Sequence, residues 1–188
     1  SEVDYAKQQG VPVLKRSEWL ASLTQNKELL AIAGTHGKTT TSAMLAWSLT
    51  EIGCEVTAVV GGKVPQFPEG SNAIISPKST KFVLEADEYD GAFLGLRPKV
   101  AVVTNVELDH VDIFADEDAV KRSFDSFASQ VRVGSLSHDS ACSRNNVESS
   151  PVQVQEGGCL LVCGDDPGSA AMKDILIDPA KYNEMKVA

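Results

Sequence analysis

Residues 34–41 read Gly-Thr-His-Gly-Lys-Thr-Thr-Thr. They follow an apolar run and precede a helical pattern, which is the arrangement needed to grip a phosphate. A glycine turn lets backbone N–H groups face an anion at a helix N-terminus, where the partial positive charge already favours it. Lys38 adds a mobile charge for terminal phosphates, and Thr39 offers a hydroxyl to Mg²⁺. Gly34, Thr35, His36, Gly37, Lys38, Thr39 and Thr40 are therefore the candidate phosphate-binding residues. A common P-loop would place a glycine five residues before Gly37, where Ile32 stands inside the apolar run, so this loop is a shortened form.

A second cluster, Glu85-Ala86-Asp87-Glu88-Tyr89-Asp90, closes another apolar run. A carboxylate on the lip of a strand beside a phosphate loop is what holds Mg²⁺ between phosphate oxygens. Glu85 is the expected ligand. The bland alternative is a solvated acidic turn. A third cluster, Asn105-Val106-Glu107-Leu108-Asp109-His110, follows the run Val100 to Thr104. The neutral imidazole of His110 can ligate a second divalent ion or position a substrate group, or it can simply pack. His36, inside the loop, either touches ligand or only shapes the turn. His138 lies in a polar stretch and has no assigned role. No serine or cysteine nucleophile is apparent, and phosphoryl transfer between anions requires none, being a matter of electrostatic positioning.

The elements that must position these residues follow from periodicity. Buried-type strands are expected at Glu28 to Ala33, Glu55 to Val60, Lys81 to Ala86, Val100 to Thr104 and Gly158 to Cys163, with a weak strand at Ala73 to Ser76. Between them, Met44, Leu45, Leu49 and Ile52 recur at helical spacing until Gly53, and Asp116 to about Gln130 reads as an amphipathic helix with an acidic first turn. Ahead of these lie a short helix over Ser1 to Gly10, a strand at Val11 to Leu14 and a helix from Ser17 to about Leu23, capped by Ser17 with Glu18. Residues 134–157 lack apolar period and read as a surface loop or partly disordered insert. Asp165 to Gly168 makes a turn, Ser169 to Ile175 a helix, and Asp178 to Ala188 a tail. Unbroken apolar strands alternating with helices predict an α/β fold with a mostly parallel sheet covered on both faces. The three clusters then share the carboxyl edge of the sheet, where such folds bind ligands.

Composition narrows the function classes. The 188 residues carry 17 Lys and Arg against 26 Asp and Glu, a formal charge of −9. Such an acidic balance argues against binding nucleic acid by phosphate neutralisation. The 43% hydrophobic content suits a folded core rather than disorder. Apolar runs such as Leu29 to Ala33 are too short to span a bilayer, and no secretory signal is visible. The four cysteines are scattered, which favours a reducing compartment over a disulfide or zinc framework. Nothing in the residues fixes an oligomeric state.

The loop at Gly34 to Thr41, the Glu85 to Asp90 stretch and Thr104-Asn105-Val106-Glu107-Leu108-Asp109-His110-Val111-Asp112 resemble the Mur ligases, relatives of the folylpolyglutamate synthases. The resemblance covers about Val11 to Gln130 and returns at Leu160 to Pro167. It implies a P-loop NTPase-like central domain over 27–188, interrupted by the insert at 134–157. Residues 1–26 would be the end of a preceding UDP-binding domain, with the ligase domain that closes over ATP not part of this sequence. It implies ATP and Mg²⁺ as cofactors, Thr39, Glu85 and His110 as metal ligands, and catalytic roles for Lys38, Asn105 and His110. Within the family the stretches look most like the branch that joins L-alanine to UDP-N-acetylmuramate, and muropeptide-recycling ligases share much of the pattern. The implied reaction forms an acyl phosphate from the lactyl carboxylate and ATP, which the amine of L-alanine displaces. The implied location is the bacterial cytoplasm, or a plastid in a plant. Two other readings share the residues: a nucleotide-binding module without ligase activity, and a regulatory or motor NTPase, which the short loop disfavours.

Overall fold

A computed structural model describes residues 1–131, 152–154 and 158–172. Seven strands form one sheet: β1 (Glu28–Ala33), β2 (Val56–Val59), β3 (Ala73–Ile74), β4 (Lys81–Glu85), β5 (Val100–Val103), β6 (Val152–Val154) and β7 (Gly158–Val162). Their order is β3-β2-β4-β1-β5-β7-β6. The five inner strands run parallel, and β3 and β6 close the two edges antiparallel. The expected α/β class is therefore what the chain adopts. Five α-helices accompany the sheet among the described residues: α1 (Glu2–Gln8), α2 (Arg16–Thr24), α3 (Lys38–Glu51), α4 (Glu117–Ala128) and α5 (Pro167–Ala171).

The period-2 geometry of the central strand β1 explains why both faces are covered. Leu29, Ala31 and Ala33 point into a large core with Phe82, Leu84, Phe124 and Phe127, so this face rests on α4. Ile32 points the other way, with Val56, Ala58, Val83 and Ala46, onto α3. In the larger core Phe93 stacks on Phe127 at 4.8 Å and meets Phe124 edge-on at 5.4 Å. Fully burying each ring contributes roughly 1.5–3 kcal/mol, enough to anchor the 3₁₀ turn Tyr89–Gly95 that follows the acidic cluster.

Four local expectations are corrected. Val11 to Leu14 pairs with no strand among the described residues, and Val11, Val13 and Leu14 are exposed. A β-favouring composition makes a strand only where a sheet edge is free to take it. Helix α2 begins one residue before Ser17, and its N-terminus is closed by Glu18, whose carboxylate accepts the Lys15 N–H at 2.7 Å. Ser17 is not the cap. Residues 152–154 of the expected loop pair with β7 as β6, while the remainder of 134–157 lies outside the described residues. The last helix starts at Pro167, two residues earlier than expected, because Asp166 caps it through the Ser169 N–H at 2.6 Å. Ile175 and the tail from Asp178 lie outside the described residues.

Candidate nucleotide-phosphate site

β1 is flanked by β4 on one side and β5 on the other, with Ile32 level with Glu85 and Ala33 level with Val103. The three clusters therefore leave neighbouring strands at one edge. Gly34 has φ +134, and a Cβ there would overlap Thr104 Oγ1, so only glycine lets the loop pass the end of β5. Gly37 has φ +80 at the head of α3, again a glycine conformation. The first hydrogen bond into α3 runs from the Thr41 N–H to Gly37 O at 3.0 Å. The N–H groups of Lys38, Thr39 and Thr40 thus have no intrahelical carbonyl to bond, which is the donor array an anion needs.

Neighbouring strands hold the loop in shape. The Thr35 N–H donates to Asn105 O at 3.1 Å and the His36 N–H to Asn105 Oδ1 at 2.8 Å. Thr104 Oγ1 donates to His36 O at 2.6 Å. Thr35 Oγ1 donates to Glu107 O at 3.1 Å and accepts the Glu107 N–H at 2.9 Å. Asn105 and Thr35 are therefore committed to the loop's architecture. The His36 ring stands exposed, its Nε2 4.0 Å from Glu107 Oε2, while its backbone shapes the turn.

Lys38 Nζ donates to Gly34 O at 2.7 Å, Thr35 O at 3.3 Å and Glu88 Oε1 at 2.9 Å. Thr39 Oγ1 donates to Glu85 Oε1 at 2.8 Å, and Glu85 Oε2 accepts the Gly61 N–H. Glu85 presses so closely on residue 61 that a Cβ there would lie 2.7 Å from Oε1. His110 adopts φ +53 at the end of the third cluster. Its Nε2 lies 3.7 Å from Glu88 Oε1, and its ring meets Tyr89 edge-on at 5.2 Å. The Tyr89 hydroxyl donates to Asp112 Oδ2 at 3.1 Å. The Asp109 carboxyl is held below its usual range chiefly by the hydrogen bond from the His110 N–H.

Thr39 and Glu85 come together as expected for magnesium, whereas His110 approaches Glu88 instead of joining them. Thr39 Oγ1 and Glu85 Oε1, 2.8 Å apart, match the spacing of about 2.9 Å between adjacent oxygens on an octahedral ion with bonds near 2.0–2.1 Å. Among the described residues no group of three His, Cys, Asp or Glu is arranged for a metal. This suits an ion that takes one or two protein oxygens and finds the rest on water and phosphate. Glu88 was missed as a separate element of the site. Its side chain is 2% exposed and paired with Lys38, so the acidic run is no solvated turn. Gly61 and Thr104 were also missed, and a glycine pair just after a strand, Gly61-Gly62, was the available signal for the first.

Beyond the Thr104–Glu107 connection a cavity of about 600 Å³ opens between α4 and α5, lined by Val106, Glu107, Lys121, Asp166 and Gly168 among others. Burial pushes the Asp166 carboxyl up, but hydrogen bonds from the Ser169 and Val106 N–H groups outweigh it and leave the carboxyl below its usual range.

Comparison with known proteins follows the same residues. Residues 32–154 match the Mur ligase middle domain. The chain is 46% identical over 171 residues to a UDP-N-acetylmuramate–L-alanine ligase of Frankia alni, covering 91% of this chain and 25% of the relative. The corresponding enzyme of Mycobacterium leprae is 41% identical, with 91% and 29% covered. The chain thus spans about a quarter to a third of the length of the curated relatives it matches. The structure of a UDP-N-acetylmuramate:L-alanyl-gamma-D-glutamyl-meso-diaminopimelate ligase from Neisseria meningitides superposes with a TM-score of 0.68 at 29% identity, over 92% of this chain and 50% of that one. With a match over most of its length and a phosphate loop built as described, this chain belongs to the Mur ligase family.

Proposed function

We propose that the chain is the nucleotide-holding part of an ATP-dependent carboxylate–amine ligase that joins L-alanine to UDP-N-acetylmuramate in peptidoglycan precursor synthesis. The observation that carries this reading is the placement of Lys38 at the head of α3, between the Thr39–Glu85 pair and the Glu88–His110 pair. The loop from Gly34 to Thr40 cradles the phosphates of ATP, and Lys38 offsets charge on the terminal ones. Magnesium held by Thr39 and Glu85 would reduce the repulsion between triphosphate and acceptor carboxylate. His110, facing the same edge, positions the acceptor carboxylate or a second divalent ion, and Asn105 supports it by fixing the loop. The acceptor carboxylate then takes the γ-phosphoryl group, and the amine of L-alanine displaces phosphate from the acyl phosphate.

The L-alanine branch is preferred over muropeptide recycling because the two curated relatives at 41–46% identity carry that name, against 29% for the recycling enzyme's structure. Residues 1–26 are read as the end of a preceding domain: α1 buries no residue and the family match begins at residue 32. Among the described residues no helix is long and apolar enough to cross a membrane, and a reaction that would consume ATP and a UDP-linked substrate is read as a cytoplasmic one.

The test has two stages. Calorimetry on this chain is expected to show 1:1 binding of ADP with magnesium. A chimera in which the chain replaces the matching 171 residues of the Frankia alni ligase is expected to release phosphate only when UDP-N-acetylmuramate and L-alanine are both present. Binding without substrate-dependent release would leave a nucleotide module and refute the ligase reading.

A further inference from the structure

Glu88 is the most deeply buried charged side chain at the site, 2% exposed, beside a lysine that is itself only 14% exposed. Its Oε1 accepts from Lys38 Nζ at 2.9 Å. Its Oε2 is equally near the ammonium but off the hydrogen-bonding direction, and it has no hydrogen-bond partner. An unsatisfied oxygen on a buried carboxylate is costly. All three Lys38 donors are meanwhile spent on Gly34 O, Thr35 O and Glu88. The group meant to meet a phosphate is thus turned inward, held by a full negative charge that would repel that same phosphate.

We infer that Glu88 is a positioning residue that withholds Lys38 from nucleotide phosphates and yields it only when a divalent ion accompanies them, so that the site selects the metal-bound nucleotide over the free anion. This rests on the phosphate-site reading above. The physical basis is the charge balance. A free diphosphate or triphosphate entering the loop must compete with the buried carboxylate for the one ammonium that Lys38 supplies. Loaded with magnesium, the same phosphates bring most of their own neutralisation, and Lys38 can leave Glu88 at smaller cost. His110, 3.7 Å from Glu88 Oε1, is placed to take over as the carboxylate's neighbour once Lys38 swings away.

The measurement is the ratio of ADP dissociation constants without and with magnesium, taken by calorimetry on the full chain in EDTA and in excess magnesium. Glu88→Gln is nearly isosteric and removes the charge. It is expected to tighten metal-free ADP binding about tenfold, the change of one charge interaction near a partly buried site, while leaving binding of the magnesium complex within about threefold. The ratio therefore falls. A purely structural role for Glu88 would weaken both forms together, and that result, or an unchanged ratio, overturns the inference while the phosphate-site reading stands. No binding of the magnesium complex to the wild-type chain would instead sink the reading beneath it. Should E88Q fail to fold by circular dichroism, Glu88→Asp keeps the charge but withdraws it by one methylene. Its ratio is expected below that of wild type, and an equal ratio overturns the inference.

Discussion

Glu88 and Asp166 are both carboxylates at the carboxyl edge of one sheet, yet they do different work. Asp166, after β7, caps α5 and also accepts the Val106 N–H, so its hydrogen bonds join two segments of chain. Glu88, after β4, is paired with the ammonium of one side chain, Lys38, which lies 2.9 Å from both of its oxygens. One is held through Oδ2 by two backbone donors that cannot leave. The other is paired with a side chain that can. The α4–α5 flank of the sheet edge is thus fastened by its half-buried carboxylate, while the α3 flank keeps its charge in reserve, and an acid at this edge reads as structural or functional according to whether its donors are fixed.

Substitutions can break this contrast, beginning with the largest effect. Lys38→Ala removes both the phosphate contact and the partner of Glu88. It is expected to abolish detectable ADP binding by calorimetry and to cost about 3–5 kcal/mol in urea unfolding, as for a buried pair that loses one member. Wild-type binding in this variant would end the contrast outright. Gly34→Ala drives a Cβ against Thr104 at a φ only glycine adopts freely, and about 3 kcal/mol of stability should be lost by the same assay. Asp166→Ala should cost about 1–2 kcal/mol through the lost cap and the stranded Val106 N–H, with ADP affinity unchanged. A large affinity loss there would show that the two flanks are not separate.

The smallest expected effect concerns pH. Burial raises the Asp125 carboxyl to about 6, with Lys121 opposing. A raised carboxyl pKa means that the folded chain binds the proton more tightly than the unfolded one, so stability falls as pH rises from about 4 through 6 and stays lower above. Asp125→Asn should therefore raise Tm at pH 8 by about 2–4 °C, allowing for the group's partial solvation, and leave it unchanged at pH 4. An equal gain at both pH values would mean that packing, not charge, is responsible.

Much of this arrangement was legible from residues. Parallel strands buried on both faces leave unbroken apolar runs, so Glu28 to Ala33 and Val100 to Thr104 marked β1 and β5 within a residue. Gly-Lys-Thr marked the head of α3, because only a helix N-terminus makes use of that combination. Sequence singled out Glu85 as the expected metal ligand but gave no sign that Glu88 is the buried one. Glu85 ends β4 and Glu88 opens a 3₁₀ turn; once strand alternation stops, no periodicity tells which carboxylate turns inward. Val11 to Leu14 failed for a related reason: strand propensity is local, but a strand needs an open edge. The capping of α2 was misread because Glu18 reaches back to Lys15, satisfying the end without Ser17.

The hydrogen bonds that tie residues 35 and 36 to Thr104 and Asn105 carry one more implication. The phosphate cradle is not portable. Its octapeptide, grafted between a strand and a helix of some unrelated protein, would arrive without the neighbouring strand's grip and would sample many shapes. A transplant that works must bring the end of β5 along with it.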